Sequence, residues 1–205
     1  MHRALYLAGV GYLAICGMLV LRHYKPDYSY IPTDPAATRY WYSRPGYDWW
    51  VQIKPRCNAV EVELAHRTSP APTGSYAQAY SAACYALAGK IDSARAIIDR
   101  LPQGDRYKAA GMVFDIAHPI ADAGDDRSAG PIMELVISYW PNHYMALYHA
   151  GMAEYALGES QLARKNLRAF LCYYHQNDSW TRNAQLTLAR LGAAEAEAEA
   201  GGGVR

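Results

Sequence analysis

The chain has 205 residues, of which 51% are hydrophobic and 19% charged, and its formal net charge is +1. A chain of this length holds one domain of about 100–150 residues together with extensions. The balanced charge offers no clustered basic face, which argues against a nucleic-acid-binding protein.

The amino-terminal stretch 4–21, ALYLAGVGYLAICGMLVL, contains no charged residue and lies between Arg3 and Arg22. As a helix it spans about 27 Å, enough for a slightly thin hydrocarbon core. It is either a membrane anchor or a cleaved signal peptide. Because no small-x-small cleavage site follows it, and Ile15 stands where a lipobox requires a small residue before Cys16, we predict a single-pass anchor preceded by a short tail, 1–3.

The distribution of positive charge gives little indication of the orientation of this anchor, because positive residues flank both of its ends. The short lead before Arg3 resembles a signal-anchor, which leaves the amino end in the cytoplasm and translocates the rest. We therefore predict a bacterial inner-membrane protein whose main domain lies in the periplasm.

Residues 22–54 form an aromatic juxtamembrane arm in which prolines disfavour a continuous helix. Tyrosine and tryptophan collect at membrane–water boundaries and at protein interfaces. The rings either pack on the following domain or among lipid headgroups, or they form an extended arm laid over a partner membrane subunit. The residues of the predicted membrane or partner arm are Tyr28, Tyr30, Tyr40, Trp41, Trp49 and Trp50.

A helix is predicted to begin at Pro55, in the stretch PRCNAVEVELAHR, because proline suits the first helical turn. Val60 and Leu64, with Arg67 as a further candidate, follow helical spacing within it. The loop SPAPTG then leads to Ser75, a predicted N-cap of the next helix.

A pattern of about 34 residues recurs three times after this point. Gly89, Gly124 and Gly158 are each predicted to end a helix, since glycine adopts the left-handed C′ conformation without strain. A small residue lies seven positions before each glycine, an alanine five after it, and large apolar residues nine and twelve after it. These positions are Ala82, Ala117 and Gly151; Ala94, Ala129 and Ala163; Ile98, Met133 and Leu167; and Leu101, Val136 and Phe170.

This repeated pair of helices resembles the tetratricopeptide repeat (TPR) family. The resemblance implies an all-α fold, in which the transmembrane helix is followed by a right-handed α-solenoid of about three helix-turn-helix repeats with a C-terminal capping helix. The implied repeat domain covers residues 55–192. Its repeats are expected at about 75–107, 108–143 and 144–177, and the capping helix at 179–191.

The same resemblance implies a concave protein-binding groove lined by the first helix of each repeat. Its surface is aromatic and methionine-rich and lacks the lysine and asparagine pattern of the family's carboxylate clamp, so it suits an apolar helix or extended segment. Alternatively, the chain's own arm or the Pro55 helix fills it. The implied groove residues are Tyr76, Ala79, Phe114, His118, Met145, Tyr148, Met152 and Tyr155.

Three residues depart from the repeat pattern. Pro119 falls inside a predicted helix and is expected to kink it, whereas Pro131 is tolerable if its helix begins near Ser128. Glu154 occupies a position where the family usually has an aromatic residue.

The stretch 179–191 predicts a terminal helix, capped by Asp178 or Ser179, that covers the last apolar face. Residues 193–205 are of low complexity and are expected to be frayed or disordered. The apolar residues predicted to do the covering are Trp180, Ala184, Leu188 and Leu191.

No pattern in the sequence indicates catalysis or a bound cofactor. There is no Cys-x-x-Cys-His, paired-cysteine zinc pattern, phosphate loop or nucleophile elbow. His149 and Met152, with Met145 one turn back, could in principle place ligands on one helix face, but we expect them to pack or to line the groove. We predict no catalytic, cofactor or metal residues.

Cys57 and Cys84 are predicted at the start of one helix and near the end of the next. If these helices are antiparallel neighbours, the two residues come within disulfide range. The alternative is a pair of buried thiols that behave as small hydrophobes. A disulfide persists only in an oxidising compartment, so the pair bears on which side of the membrane holds the domain.

The predicted function is a non-enzymatic, membrane-anchored interaction protein. It would be an accessory subunit or assembly scaffold of a respiratory, photosynthetic or secretion complex. Its partners would be membrane lipid and integral membrane subunits, and neither nucleic acid nor a small-molecule substrate is expected. The alternative is an enzyme or cofactor carrier whose site the sequence does not reveal.

Overall fold

A computed structural model describes residues 44–202, with side chains to residue 196. Over this range the chain is all-α, as predicted, and contains no strand. The predicted anchor and the arm residues up to Trp41 lie outside the described residues. The helices are α1 (Tyr47–Ile53), a 3-10 helix (Lys54–Arg56), α2 (Val62–Thr68), α3 (Ser75–Leu87), α4 (Ile91–Asp99), α5 (Gln103–Asp122), α6 (Asp126–Tyr139), α7 (Tyr144–Ala156), α8 (Ser160–Tyr173) and α9 (Ser179–Gly202).

None of these helices is long and apolar enough to cross a membrane. All of them lie within residues 44–202, which begin after the predicted anchor.

Three turns of identical geometry join α3 to α4, α5 to α6 and α7 to α8. The glycines in them, Gly89, Gly124 and Gly158, have φ values of 73°, 77° and 82°. In each turn the N–H of the glycine donates to the carbonyl oxygen of the residue three positions earlier. The N–H of the residue that follows the glycine donates to the carbonyl oxygen five positions before itself. This is the Schellman arrangement, which satisfies carbonyls that the helix end would leave unpaired. The predicted role of these glycines is confirmed.

The twelve recurring apolar and small positions of the sequence pattern are all buried. Gly151 shows why one of them must be small. A Cβ atom at this position would lie 2.7 Å from Leu167 Cγ and 3.1 Å from the Leu167 backbone nitrogen. The backbones of α7 and α8 therefore approach as closely as the pattern predicts.

From α3 onward each helix packs on the next, and α3 also packs on α5, α4 on α6 and α7 on α9. The main hydrophobic core extends from α1 to α7. A smaller core lies between α7, α8 and α9 and consists of Leu147, Tyr148, Leu167, Phe170 and Ala184.

The helix predicted to begin at Pro55 is instead two short pieces. Asn58 Oδ1 accepts hydrogen bonds from the backbone N–H groups of Val60 and Glu61, and this turn separates the 3-10 helix from α2. The helical spacing of Val60 and Leu64 does not mark a buried face: Val60 is 88% and Leu64 57% exposed, whereas Val62 and Ala65 are buried.

Trp49 and Trp50 belong to the folded domain, although both fall in the predicted arm. Trp50 stacks on Tyr80 with ring centroids 5.5 Å apart. Trp49 Nε1–H donates to the Ser69 carbonyl oxygen at 2.9 Å. For these two rings the structure favours packing on the domain over contact with a partner.

Two further boundaries differ from the predictions. Helix α6 begins at Asp126, and Asp125 Oδ1 accepts the Ser128 N–H, so Pro131 lies in the second helical turn and not the first. Helix α9 continues through Gly202, beyond the predicted end at residue 191 and into the stretch 193–205 that was expected to be frayed or disordered. Alanine and glutamate are strong helix formers, and Arg164 pairs with Glu195, so the low-complexity composition does not end the helix.

We expect Gly151→Ala to lower the free energy of unfolding by about 1–3 kcal/mol, because its Cβ overlaps the Leu167 side chain and backbone. The matched control is Gly104→Ala in α5, where an added Cβ meets nothing within 4 Å. That variant should be neutral or up to about 1 kcal/mol more stable, since alanine is the better helix former. Urea unfolding measures both, and equal effects would contradict the close approach of α7 and α8.

Cys57 and Cys84 are joined by a disulfide with a Cα–Cα distance of 4.8 Å. Their sequence separation is 27 residues, and closing such a loop stabilises a fold by about 3–4 kcal/mol in the chain-entropy account. The bond ties the 3-10 helix region to α3, and so fixes the amino-terminal part of the domain to the first helix pair.

Reduction should therefore lower stability by about 3 kcal/mol and expose both thiols. Alkylation followed by peptide mass mapping checks the bond, with the exposed Cys172 as internal control. Without reductant, denatured protein should be labelled at Cys172 but not at Cys57 or Cys84. Labelling at all three would show that the bond is absent.

Candidate functional site

Aromatic and histidine rings fill the space between α5, α7 and α9. Phe114 stacks on His118 with centroids 4.7 Å apart, and His118 meets His149 edge to face at 4.8 Å. The ring of Trp180 on α9 also contacts this group, with its centroid 4.9 Å from that of Tyr148 and 5.6 Å from that of His149. We call this group the ring cluster: Phe114, His118, His143, Tyr148, His149 and Trp180.

Two imidazoles and one carboxylate converge inside the ring cluster. The Nε2 atoms of His118 and His149 lie 2.9 Å apart. Asp122, one turn after His118 on α5, places Oδ1 3.4 Å from His118 Nε2 and 3.7 Å from His149 Nε2. The histidine side chains are 5% and 6% exposed, whereas that of Asp122 is 45% exposed. The group is therefore closed on the protein side and open toward solvent at Asp122.

Burial keeps both imidazoles neutral. It lowers the pKa of His118, an effect that Asp122 partly opposes. Burial, reinforced by the neighbouring His118, lowers the pKa of His149 to about 3. At pH 7 one Nε2–H therefore donates to the other Nε2. In the described part of the chain, these three residues are the group that could hold a metal ion, with ligand atoms all within 4.8 Å of one another.

The predicted groove residues do not form one open surface. Phe114, His118 and Tyr148 are buried in the ring cluster, and Trp180 of α9 packs on Tyr148. Met152 also lies against α9, where Thr187 Oγ1 is 3.7 Å from its sulfur. Replacement of Tyr148 would consequently disturb the smaller core. Of the remaining predicted groove residues, Tyr76, Met145 and Tyr155 are half-buried and Ala79 is buried.

An open pocket of about 290 Å³ lies between α3 and α5, beside the predicted groove residues Tyr76 and Ala79. Ser75 Oγ donates to Asp105 Oδ2 at 2.7 Å, and Lys108 Nζ pairs with Asp105 Oδ1 at 3.1 Å. The pocket thus combines an aromatic ring with a charged rim, where the sequence predicted an apolar surface. It is lined by Ser75, Tyr76, Ala79, Asp105, Lys108 and Ala109.

A second buried polar group involves Glu154, the residue for which the resemblance to TPR repeats led us to expect an aromatic side chain. Asn166 Nδ2 donates to Glu154 Oε1 at 2.7 Å and to Glu134 Oε1 at 3.1 Å. Glu154 is only 3% exposed, and burial, followed by the hydrogen bond and charge of Glu134, raises its pKa to about 8. At pH 7 Glu154 is therefore protonated. Beside it lies a cavity of about 340 Å³.

Sequence reasoning placed His118 in a groove and set His149 beside Met152, but it missed that the two histidines meet, and it did not single out Asp122. The i,i+4 spacing of His118 and Asp122 does place them on one helix face. The position of His149 depends on how α7 packs beside α5, and the repeat register aligns it with Asp115, not with His118. Only the fold brings the three together.

No protein-family model matches the chain, and neither a curated protein nor a solved structure matches it.

The contribution of Glu154 to the stability of the protein should fall as the pH rises from 5 to 9. Its pKa is higher in the folded protein, about 8, than the ordinary 4.5, so the folded state holds a proton that the unfolded chain has lost. This contribution is fully present below pH 4.5 and is lost as the pH passes 8. Glu154→Gln should flatten the decline by on the order of 1–3 kcal/mol.

Urea unfolding at pH 5, 7 and 9 measures this difference. The control is Asp92→Asn, which removes an exposed carboxylate on α4 and should leave the pH dependence as in the wild type. If the wild-type and Glu154→Gln curves run parallel, Glu154 is ionised in the folded protein.

Proposed function

We propose that the chain is a membrane-anchored, non-enzymatic protein–protein interaction module built on a right-handed solenoid of three TPR-like repeats. The observation that carries the proposal is the threefold recurrence of one turn, with a left-handed glycine, the same two backbone hydrogen bonds and the same buried positions around it. An irregular helical bundle gives no reason for three such turns at 35- and 34-residue intervals.

The carboxyl-terminal helix supports the same proposal. In a stack of repeats the last apolar face has to be covered. Helix α9 buries Ala184 and Leu191 against the preceding pair, and Trp180 packs on Tyr148. It is therefore suited to the role of a cap.

The surface proposed for the partner is the open pocket between α3 and α5. The half-buried Tyr76 offers a large contact area, and Asp105 and Lys108 offer hydrogen bonds at the rim. An extended segment of an integral membrane subunit, with one apolar side chain between polar neighbours, fits this combination. The protein would be an accessory subunit or assembly scaffold of a respiratory, photosynthetic or secretion complex.

The location rests on the segment 4–21 and on the disulfide. Eighteen uncharged residues suffice for an anchor. A disulfide that closes a long loop is maintained in oxidising compartments, which favours the periplasmic side of a bacterial inner membrane for the helical domain.

A second candidate, a cofactor carrier, has one observation in its favour. His118, Asp122 and His149 converge as metal ligands do.

The full-length protein, isolated from its native membranes in detergent, should carry an integral membrane subunit in stoichiometric amount. Tyr76→Ala should reduce the retained partner at least about tenfold, because aromatic anchors dominate interface energies. The control is Tyr173→Ala, a tyrosine of α8 that is 51% exposed and lies outside the pocket.

Removal of residues 1–22 should release a soluble helical protein from the membrane fraction. Two outcomes would contradict the proposal: equal partner retention in the two tyrosine variants, or a full-length chain that is recovered soluble with a new amino terminus near Tyr24.

A further inference from the structure

The geometry points to a divalent metal site formed by His118 Nε2, His149 Nε2 and Asp122 Oδ1, and we propose that it binds Zn²⁺ or a similar borderline ion. The site goes beyond the proposed function, since it requires neither a partner nor a membrane. It also revises the expectation from sequence that the chain has no metal residues.

The three distances define the place where the ion would sit. With edges of 2.9, 3.4 and 3.7 Å, a point in the plane of the three atoms and equidistant from them lies about 2 Å from each. Zinc binds imidazole nitrogen at about 2.0–2.1 Å and carboxylate oxygen at about 2.0–2.2 Å. The two nitrogens need to part only to about 3.3 Å, the separation that tetrahedral ligands at these bond lengths have.

The chemistry of the ligand set agrees with the distances. Neutral imidazole and carboxylate together suit zinc and its neighbours in the first transition row. Two of the ligands come from one helix at i,i+4 and the third from another, so the ion would also cross-link α5 to α7.

Aromatic rings pack around the two histidine ligands, whereas the third ligand, Asp122, is accessible to solvent. Phe114 stacks on the His118 ring, and Tyr148 and Trp180 meet the His149 ring edge to face at 5.3 and 5.6 Å. Asp122 faces solvent at 45% exposure, so ions can enter there and a water molecule can occupy a fourth position. Three protein ligands and one open position are the arrangement of zinc sites that bind or activate a further ligand.

Met152 and Met145 do not take part in this site. The sequence paired His149 with Met152 on one helix, but in the structure Met152 Sδ lies near Thr187 Oγ1 of α9. The proposed ligands therefore come from two different helices, α5 and α7, and none of them is a thioether.

The test titrates metal-free, full-length protein with Zn²⁺ and, for spectroscopy, with Co²⁺. We expect one ion per chain by calorimetry, visible bands of tetrahedral Co²⁺, and a thermal midpoint that rises with the Zn²⁺ concentration. Co²⁺ should also quench the fluorescence of Trp180, which contacts His149, and this quenching should be absent in Trp180→Phe.

The decisive variant is Asp122→Asn, because an exposed side chain can be changed without opening the core. It should weaken Zn²⁺ binding by at least about 100-fold, since even the loss of a residue that supports a ligand costs about 10–100-fold. His149→Ala should do the same, and circular dichroism verifies that it remains folded. The matched control is His175→Ala, an exposed histidine after α8, which should bind Zn²⁺ as the wild type does.

Three results would overturn the site: no binding of either ion, equal binding by the wild type and Asp122→Asn, or loss of binding in His175→Ala. The last two would place the ion on surface residues elsewhere. Partner retention in detergent is measured separately, so failure of the metal site and failure of the interaction proposal are distinguishable.

Discussion

The three helix pairs depend on tight turns in which a left-handed residue lets backbone N–H groups pair with carbonyls at the end of the first helix. The Cβ atom of amino acids other than glycine disfavours that conformation. Gly89, Gly124 and Gly158 meet the requirement at three equivalent places. Once the turn is set, the following helix must return along the preceding one, and small residues such as Ala82, Ala117 and Gly151 permit the contact.

The helix pairs were predictable because their signal is local and repeated. Each glycine, alanine and large apolar position can be identified from spacing alone, and burial follows from the period of the helix. The segment before α3 was not predictable in the same way. Its pattern placed Val60 and Leu64 at helical spacing in one helix, but the side chain of Asn58 competes for the backbone N–H groups and shifts the helix start.

The candidate sites were less predictable from the sequence than the helix pairs, because both depend on side chains that meet across helices. His118 and His149 are 31 residues apart and out of phase with the repeat, so no periodicity relates them. Glu154 departs from the repeat pattern, but its protonated state follows from burial beside Glu134, which the sequence does not reveal. Polar residues that break a repeat therefore indicate candidate sites in the sequence, whereas their partners are determined by how the helices pack.

The disulfide between Cys57 and Cys84 also governs how the domain responds to mechanical load. A pull applied at Arg44 travels along the chain to Cys57 and from there crosses the sulfur atoms directly to Cys84 on α3. The residues between the two cysteines carry none of that tension and cannot be drawn out. About 90 Å of chain is thereby withheld from extension, at about 3.4 Å for each residue. The first helix pair would then bear the force as a unit, and α2 would remain folded until α3 itself gives way.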